Sequence, residues 1–467
     1  MAHFLLVTLP AQGHINPTLQ FAKRLIQTTG SHVTFATSVS AYRRMIRSPA
    51  PPGLSYASFS DGYDDGFNPS DDFSHYMAQL KQIGARTLSH LVRTLANEGR
   101  HITCIVYTVI LGWVADVTRD VGVPSALLWI QPATVFSVYY RYFHGYDEII
   151  KTVDKVRDKD PCFSIKLPRL PLLACSEIPS FLLPSDTHPF FLTAFKEQFE
   201  ALDREENPRV LVNTFDALES DALSSVDGMN LVGVGPMIPS AFFDGDDASD
   251  TTFGGDLFEN TRDYVEWLDS KPISSVVYIS FGSIIAPSKQ QMEEISIGLL
   301  ESGKPFLWVV RLPEDGDDRQ FDVELRRRLD GTGQGMAVPW CSQVEVLSHP
   351  ATGCFVTHCG WNSTLESMAM GVPMVCFPKW TDQTTNAKLV EDVWKVGVRV
   401  KVNEDGVLEG GELKRCLEEV MEGKRGEEIR KNARKWRGLA REAAAEGGSS
   451  YLNIKVFVEE VRGLCAC

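Results

Sequence analysis

A segment in the last quarter of the chain carries more polar side chains than its apolar surroundings explain. Residues 355–383, "FVTHCGWNSTLESMAMGVPMVCFPKWTDQ", contain a His beside a Cys, a Trp-Asn-Ser-Thr-Leu-Glu run and a closing Asp-Gln pair. A core segment does not need so many polar groups, because each buried one must find a hydrogen-bond partner. The composition therefore predicts a ligand-binding segment.

Common nucleotide and metal motifs are absent from the sequence. There is no G-x-x-x-x-G-K-[ST] phosphate loop, and "GTGQG" at 331–335 lacks the glycine spacing of a dinucleotide fingerprint. His358 and Cys359 are adjacent with Cys354 upstream, which is not the spacing of zinc ligands. We therefore predict no metal and no bound cofactor, and we interpret these cysteines as buried thiols.

A second candidate for chemistry lies near the N-terminus. His14, in "PAQGHINP", directly follows the first strand-like run. An imidazole in this position can act as a general base near neutral pH. The alternative is a histidine that only lines the start of a helix.

The elements that must position these residues alternate along the chain. Short apolar runs without clean alternation indicate parallel strands that are buried on both faces. These runs are "HFLLVTL", "HVTFATS", "HITCIVYT", "SALLWI", "SSVVYISFGS", "PFLWVV", "GMAVPW", "GCFVTH" and "VPMVCFP". Amphipathic stretches such as 16–27 and 71–99 separate them and indicate helices, with Pro17 in a first helical turn. The alternation predicts an α/β fold with doubly wound sheets.

The length of 467 residues exceeds that of one ordinary core and predicts two domains. A stretch rich in Pro, Gly, Asp and Ser near 236–256 indicates a linker, which we place at 241–258. The predicted domains are then 1–240 and 259–467, the second with a helical tail. In sheets of this kind, ligands bind beyond the carboxyl ends of the strands.

The net charge excludes some partners. A formal charge of -15 disfavours nucleic acid and anionic membranes as partners, since both require a basic face. No secretory signal and no apolar run of about 18 residues is present. The cysteines form no C-x-x-C pairs, which favours a reducing compartment. We predict a cytoplasmic monomer without a membrane span.

Residues 340–383, which begin "WCSQVEVLSHPATGCFVTH", resemble the signature box of the plant UDP-glycosyltransferases in fixed spacing through nearly their whole length. The resemblance extends along the chain, including "LPAQGHINPTLQFAKRL" at 9–25, and is greatest to the branch of anthocyanin 5-O-, crocetin and plant-hormone glucosyltransferases. It implies the GT-B fold, in which two Rossmann-like domains face each other across a cleft. The first domain would bind a small-molecule acceptor and the second a UDP-sugar, most often UDP-glucose.

The resemblance also implies a role for each residue of the box. Trp340 stacks on the uracil ring, and the backbone of Cys341 contacts its edge. Gln343 and Glu366 hold the ribose, because a carboxylate accepts hydrogen bonds from vicinal hydroxyls. The start of the following helix suits the diphosphate. The side chains that complete this predicted site are Ser283, His358, Trp361, Asn362, Ser363, Asp382 and Gln383. For Trp361, a core aromatic is an equal alternative.

The same resemblance makes His14 the base that deprotonates the acceptor during an inverting transfer, with no metal required. Family members usually orient this histidine with an Asp after the fourth strand, whereas Thr108 stands there in this chain. Asp116 lies eight residues further on, and we expect it to face solvent. Thr108 can accept a hydrogen bond but supplies no charge, so His14 should be a weak base. This departure predicts an acidic acceptor, either a phenol or a carboxylic acid.

For the acceptor pocket and for the enzyme class, the sequence allows more than one interpretation. Gln131, Phe136 and Tyr139 are candidates for an apolar acceptor pocket, and plain core packing is the alternative for such aromatics. The predicted function is sugar transfer from a UDP-sugar to a hydroxyl or carboxyl of a small plant metabolite. A UDP-sugar epimerase or phosphorylase on the same fold, or a UDP-sugar-binding protein without activity, are the other hypotheses.

Overall fold

The computed structural model describes most of the chain. The described residues are 1–45, 50–68, 71–156, 160, 163–183, 189–243, 250, 253, 263–282, 287–311 and 317–464. Ser283 and most of the predicted linker at 241–258 lie outside these ranges. No helix in the described ranges is both long and apolar enough to cross a membrane.

Two compact units account for the contacts within the chain. The first contains residues 1–239, 252–257 and 442–467, and the second contains 240–251 and 258–441. The tail from Glu442 onward therefore belongs with the first unit, whereas the sequence analysis placed it in the second domain. The reason is tertiary packing, which local patterns do not reveal: Ser450 donates its hydroxyl to the carbonyl of Gly235, and Phe457 packs on Phe4.

The first unit is built on a parallel sheet of seven strands in the order β3-β2-β1-β4-β5-β8-β9. These strands and the short antiparallel pair β6–β7 are β1 (His3–Val7), β2 (His32–Ser38), β3 (Leu54–Phe59), β4 (Cys104–Thr108), β5 (Ser125–Trp129), β6 (Ser164–Lys166), β7 (Leu172–Ala174), β8 (Arg209–Val212) and β9 (Asn230–Gly233). Every residue of β1, β4 and β5 is buried, which explains their apolar runs without alternation. The four strands predicted here are confirmed, and β3, β8 and β9 were not predicted.

Helices cover this sheet. They are α1 (Gln12–Thr29), α2 (Val39–Met45), α3 (Phe73–Asn97), α4 (Trp113–Val121), α5 (Ala133–Arg141), α6 (Asp147–Val156), α7 (Pro189–Asp203) and α8 (Asp216–Leu223). Helix α1 begins at Gln12, four residues earlier than predicted, so Pro17 lies inside the helix and not in its first turn. The early start brings His14 into the first turn, directly beyond the carboxyl end of β1.

The second unit contains a parallel sheet of six strands in the order β12-β11-β10-β13-β14-β15. The strands are β10 (Val276–Ser280), β11 (Phe306–Val309), β12 (Gly335–Val338), β13 (Thr352–Thr357), β14 (Met374–Cys376) and β15 (Gly397–Arg399). The helices are α9 (Asp263–Asp269), α10 (Lys289–Ser302), α11 (Asp317–Asp330), α12 (Gln343–Ser348), α13 (Trp361–Met370), α14 (Gln383–Lys388), α15 (Gly410–Met421) and α16 (Gly423–Ala444), and α17 (Ser449–Leu464) follows in the first unit. All five strands predicted for this half are present.

Candidate active site

His14 and Thr108 meet at the carboxyl ends of neighbouring strands. Strands β1 and β4 pair in parallel with Val7 opposite Tyr107, so the residues that follow them lie side by side. The Nδ1 atom of His14 lies 3.1 Å from the hydroxyl oxygen of Thr108, which is fully buried. If Thr108 accepts this hydrogen bond, Nδ1 carries the proton and Nε2 keeps the lone pair that a general base needs.

Burial keeps His14 neutral. Desolvation lowers the pKa of His14 from its ordinary 6.5 to about 4. Asp116 does not compensate, because its carboxylate is half-exposed and forms ion pairs with Arg119 and Arg204. The expectation that Asp116 faces solvent is therefore confirmed, and His14 has a hydroxyl as its neighbour where a carboxylate would raise its pKa.

In the second unit, His358 lies in a narrow space at the end of β13. A Cβ atom on Gly282 would come within 2.7 Å of its Nε2, and one on Gly360 within 2.5 Å, so neither position accepts a side chain without displacing the ring. Gly282 also has a φ of +77°, which favours glycine. Burial lowers the pKa of His358 to about 4, and the positive charge of Arg311 adds to this effect. The ring is neutral at pH 7 and keeps one N–H to donate.

Hydrogen bonds to residues on either side fix the turn between β13 and α13. Cys359 has a φ of +64°, unusual for a residue with a side chain. Its N–H donates to the hydroxyl of Thr357 at 3.1 Å, and its carbonyl accepts from the amide of Asn386 at 2.8 Å. Helix α13 then starts after Gly360 with no side-chain cap. Its first backbone N–H groups and the side chains of Asn362 and Ser363 lie together at this helix start.

The buried Glu366 belongs to a polar cluster with the buried Ser363 and the partly exposed Gln343. The side-chain nitrogen of Gln343 lies 2.7 Å from a carboxylate oxygen of Glu366 and 2.8 Å from the hydroxyl of Ser363. Burial raises the pKa of Glu366 from 4.5 to about 7, and the hydrogen bond from Gln343 opposes part of that rise. The predicted ribose pair is thus in contact, with a carboxyl group that titrates near neutral pH.

Trp340 and Cys341 follow β12. The indole of Trp340 is partly exposed, whereas the thiol of Cys341 is buried and lies 3.5 Å from the hydroxyl of Tyr278. Trp361 is buried and packs on Trp394, with ring centroids 5.9 Å apart. Core packing, the alternative named for Trp361, therefore describes its surroundings.

Asp382 and Gln383 stand at the start of α14. The carboxylate of Asp382 accepts from the hydroxyl of Thr381 and from the amide of Asn386, both at 2.6 Å, and burial raises its pKa. The side-chain oxygen of Gln383 accepts from the backbone N–H of Lys379 at 2.9 Å. Both side chains are almost fully buried, so their orientations are defined by the loop after β14.

The acceptor candidates divide into two groups. Gln131 precedes α5 and is partly exposed. Phe136 and Tyr139 are fully buried, and the Tyr139 ring stacks on Phe195 at 4.1 Å. Core packing therefore describes Phe136 and Tyr139 in this structure, because helix α7 covers the face of α5 that carries them.

Several supporting residues were not predicted from the sequence. Asn386 joins the Cys359 turn to Asp382, and Tyr264 and Tyr278 contact the segment that follows Trp340. Glu219, buried in the first unit, accepts from the backbone N–H groups of Ala133 and Thr134 and so caps α5. A polar residue within an apolar run was the only local signal for these residues, and the partners of Tyr264, Tyr278 and Glu219 lie more than 60 residues away in sequence.

The described residues contain no group of three or more His, Cys, Asp and Glu side chains that could hold a metal ion. The cysteines within the described ranges are buried free thiols, as expected: Cys104, Cys175, Cys341, Cys354, Cys359, Cys376 and Cys416.

Comparison with known proteins identifies the family. Residues 236–435 match the model described as UDP-glucoronosyl and UDP-glucosyl transferase. The chain is 56% identical to phloretin 4'-O-glucosyltransferase of Malus domestica, over 99% of this chain and 98% of that protein. It is 55% identical to the chloroplastic crocetin glucosyltransferase of Gardenia jasminoides, over 98% and 97% of the two chains.

Solved structures support the same conclusion. The crystal structure of Os79 from O. sativa in complex with UDP aligns with a TM-score of 0.84 at 36% identity, over 98% of this chain and 100% of that chain. Together with the two parallel α/β units, this similarity confirms the GT-B fold. The chain belongs to the UDP-glucoronosyl and UDP-glucosyl transferase family and is a UDP-sugar-dependent glycosyltransferase.

Proposed function

We propose that this enzyme transfers glucose from UDP-glucose, with inversion at the anomeric carbon, to a phenolic hydroxyl or a carboxyl group of a plant metabolite. The names of the relatives support this acceptor class, since phloretin and crocetin provide hydroxyl and carboxyl groups, respectively. The observation that carries the proposal is the hydrogen bond between the neutral His14 and the buried Thr108 at 3.1 Å.

His14 acts as the base in this proposal. Its Nε2 removes the acceptor proton as the acceptor oxygen attacks the anomeric carbon and the bond to UDP breaks. A base with a pKa of about 4 gains little driving force against an aliphatic alcohol. A phenol, with a pKa near 10, needs less assistance, and a carboxylic acid is already ionised at pH 7. Attack opposite the α-linked UDP yields a β-glucoside or a β-glucose ester.

The second unit holds the donor in this proposal. Trp340 stacks on the uracil, Cys341 contacts its edge through the backbone, and Gln343 with Glu366 binds the ribose. The neutral His358, the side chains of Asn362 and Ser363, and the start of α13 provide donors for the charge on the departing UDP. Ser283 has the same proposed role. Protein donors, and not a metal, stabilise this charge.

Asp382 and Gln383 bind the sugar hydroxyls. The side-chain oxygen of Gln383 is engaged by loop N–H groups, which leaves its Nε2 as the group that donates to the sugar. A single amide distinguishes epimeric sugars only modestly, so we expect a preference for glucose and not strict selection.

The matching experiment uses three acceptors of similar size: a phenol, a carboxylic acid and an aliphatic alcohol. Each is incubated with UDP-glucose, and products are identified by mass spectrometry and by the anomeric coupling constant in NMR. We expect β-linked products from the phenol or the acid at rates at least tenfold above the alcohol. A faster reaction with the alcohol contradicts the proposed acceptor class, and an α-linked product contradicts inversion.

We further propose that the enzyme acts as a monomer in the cytoplasm. The scattered, buried free thiols support a reducing compartment. The relative from Gardenia jasminoides is described as chloroplastic, so imaging of a tagged full chain in plant cells distinguishes the two locations. Light scattering measures the oligomeric state.

A further inference from the structure

We propose that Tyr264 is a positioning residue for the nucleoside half of the donor site. This inference rests on the proposed function, in which residues 340–343 and Glu366 bind uridine. Tyr264 lies on α9, some eighty residues earlier in the chain, and is almost completely buried. Its hydroxyl reaches the segment after Trp340 and bonds to Ser342 and Glu345, to which no direct role in binding UDP has been assigned.

The hydroxyl of Tyr264 lies between the backbone N–H of Ser342 and the carboxylate of Glu345 at the start of α12. It accepts a hydrogen bond from the backbone N–H of Ser342 at 3.2 Å and donates to a carboxylate oxygen of Glu345 at 2.5 Å. The short distance to the carboxylate indicates a charge-assisted bond. The carboxylate raises the pKa of Tyr264 further above the rise that burial causes, so the phenol keeps its proton.

This arrangement is an extended form of a capping box. Ser342 is the N-cap residue of α12, and Glu345 is the third residue of the helix, the S-x-x-E spacing of that motif. In an ordinary capping box, the glutamate would accept directly from the N–H of the N-cap residue. Here the hydroxyl of Tyr264 lies between the two groups, accepting from the N–H of Ser342 and donating to Glu345. The side chain of Ser342 makes no cap bond of its own. The start of α12 therefore depends on a residue from α9.

The position of this cap matters because Gln343 is the first residue of α12. Its side-chain nitrogen bonds to Glu366 and Ser363, and its side-chain oxygen lies 3.4 Å from the hydroxyl of Tyr278. In the segment 341–343, Tyr278 therefore contacts side chains and Tyr264 contacts the backbone. Without the Tyr264 hydroxyl, the N–H of Ser342 loses its partner, and the segment that carries Cys341 and Gln343 can shift.

The test is the Tyr264→Phe variant, which removes one oxygen atom and keeps the ring. We expect the affinity for UDP, measured by calorimetry at 20 °C, to fall about tenfold, the size expected for a lost hydrogen bond to a charged group. The KM for UDP-glucose should rise by the same factor, while kcat at saturating donor and the KM for the acceptor should stay within twofold. A residue that only contributes to stability would lower the melting temperature without this change in donor affinity.

Tyr107→Phe is the matched control. Its hydroxyl is also buried and also bonds to a side chain, that of Gln198, but it belongs to the first unit. We expect Tyr107→Phe to bind UDP as tightly as the wild-type enzyme. Glu345→Gln is a second variant, which keeps the shape but weakens the acceptor, and it should lower UDP affinity by a smaller factor than Tyr264→Phe.

The outcomes separate this inference from the proposed donor site. If Glu366→Gln weakens UDP binding while Tyr264→Phe binds UDP like the wild type, the inference on Tyr264 is wrong and the donor site stands. If Glu366→Gln also leaves UDP binding unchanged, the proposed donor site itself is wrong. If Tyr264→Phe and Tyr107→Phe weaken UDP binding equally, the effect is not specific to the α12 cap, which also overturns the inference.

Discussion

The two units differ in the number of polar groups that are joined by hydrogen bonds at their candidate sites. In the first unit, the candidate base His14 has one side-chain partner, Thr108, at 3.1 Å. In the second unit, Gln343, Ser363 and Glu366 are joined in a partly buried network, and Asn386 bonds to both Asp382 and the Cys359 turn. A binding site for a charged nucleotide needs many groups held in place beforehand, because each one that must reorganise lowers affinity. A base needs one lone pair in the correct position.

Burial also acts on the two sites in opposite directions. It lowers the pKa of His14 to about 4 and raises the pKa of Glu366 to about 7. Both shifts favour the neutral form, as desolvation must. The two sites differ in what opposes the shift: Gln343 donates to Glu366, whereas among the described residues no carboxylate opposes the desolvation of His14.

The largest effect should come from His14→Ala. If His14 is the base and contributes nothing to donor affinity, kcat with a phenolic acceptor should fall by about 10²–10⁴-fold, the usual contribution of general base catalysis. UDP affinity measured by calorimetry should stay unchanged. A variant that retains more than a tenth of wild-type kcat would show that His14 is not the base, and a large loss of UDP affinity would show that the two functions are not separate.

Glu366→Gln should produce the reverse pattern. At pH 8, where the pKa of about 7 leaves Glu366 mostly ionised, the loss of this charged acceptor for ribose hydroxyls should weaken UDP binding by about 10–100-fold. Once UDP-glucose saturates the enzyme, kcat should change far less than in His14→Ala. Steady-state kinetics with varied UDP-glucose measures both parameters. The neighbouring Ser367→Ala, whose hydroxyl donates to the carbonyl of Val372, serves as the control and should keep the wild-type KM.

Substitution of Thr108 tests whether the missing carboxylate defines the acceptor class. Thr108→Asp should raise the pKa of His14 and increase the rate with an aliphatic alcohol by about tenfold, since a nearby opposite charge favours the imidazolium. The rate with a carboxylic acid should change little. Thr108→Val, which keeps the shape but removes the hydroxyl, should lower kcat a few-fold with a phenol. Equal rates for all three proteins on all acceptors would exclude an orienting role for Thr108.

The smallest effects concern the pH dependence of folding stability. His14 and Glu366 should contribute to this dependence with opposite signs. The pKa of His14 is lower in the folded protein than in the unfolded chain, so its contribution is full above pH 6.5 and is lost as the pH falls to about 4. The pKa of Glu366 is raised, so its contribution is full below pH 4.5 and is lost as the pH rises to about 7. Relative to wild type, His14→Gln should gain stability on acidification and Glu366→Gln on alkalinisation, each by a few degrees in melting temperature. Calorimetric scans at pH 5 and pH 8 measure both, and shifts of the same sign would contradict the assigned pKa changes.

The donor-site residues could be proposed from the sequence because most of them lie in one contiguous segment, residues 340–383, that resembles the family's signature box. This segment contains α12, β13, α13 and β14 in turn, and β13 and β14 appear where the apolar runs predicted strands. The early start of α1 was missed, because its first turn contains Gly13 and His14 and has no side-chain cap. Strand β3 was missed because its interior residues are only partly buried and lack a strong apolar run.

The supporting contacts could not be predicted in the same way. Tyr264 bonds to Glu345 over 81 residues, and Glu219 caps α5 over 85 residues. No local pattern encodes such pairs, since each partner alone resembles an ordinary polar residue in an apolar run. The same holds for Phe136 and Tyr139, whose composition suits a pocket equally well before the packing of α7 is known.

The sequence by itself determined the family of folds and the identity of the chemical groups, since strand periodicity and fixed spacing are local properties of the chain. Tertiary structure alone decided which groups are neutral and which are held in place. Proton affinities depend on how much water and charge surround a group. A helix cap from another element depends on which distant side chain lies near the start of the helix. That is why His14 and Glu366 could be proposed from the sequence, whereas their shifted pKa values and the contacts of Tyr264 emerge only from the folded protein.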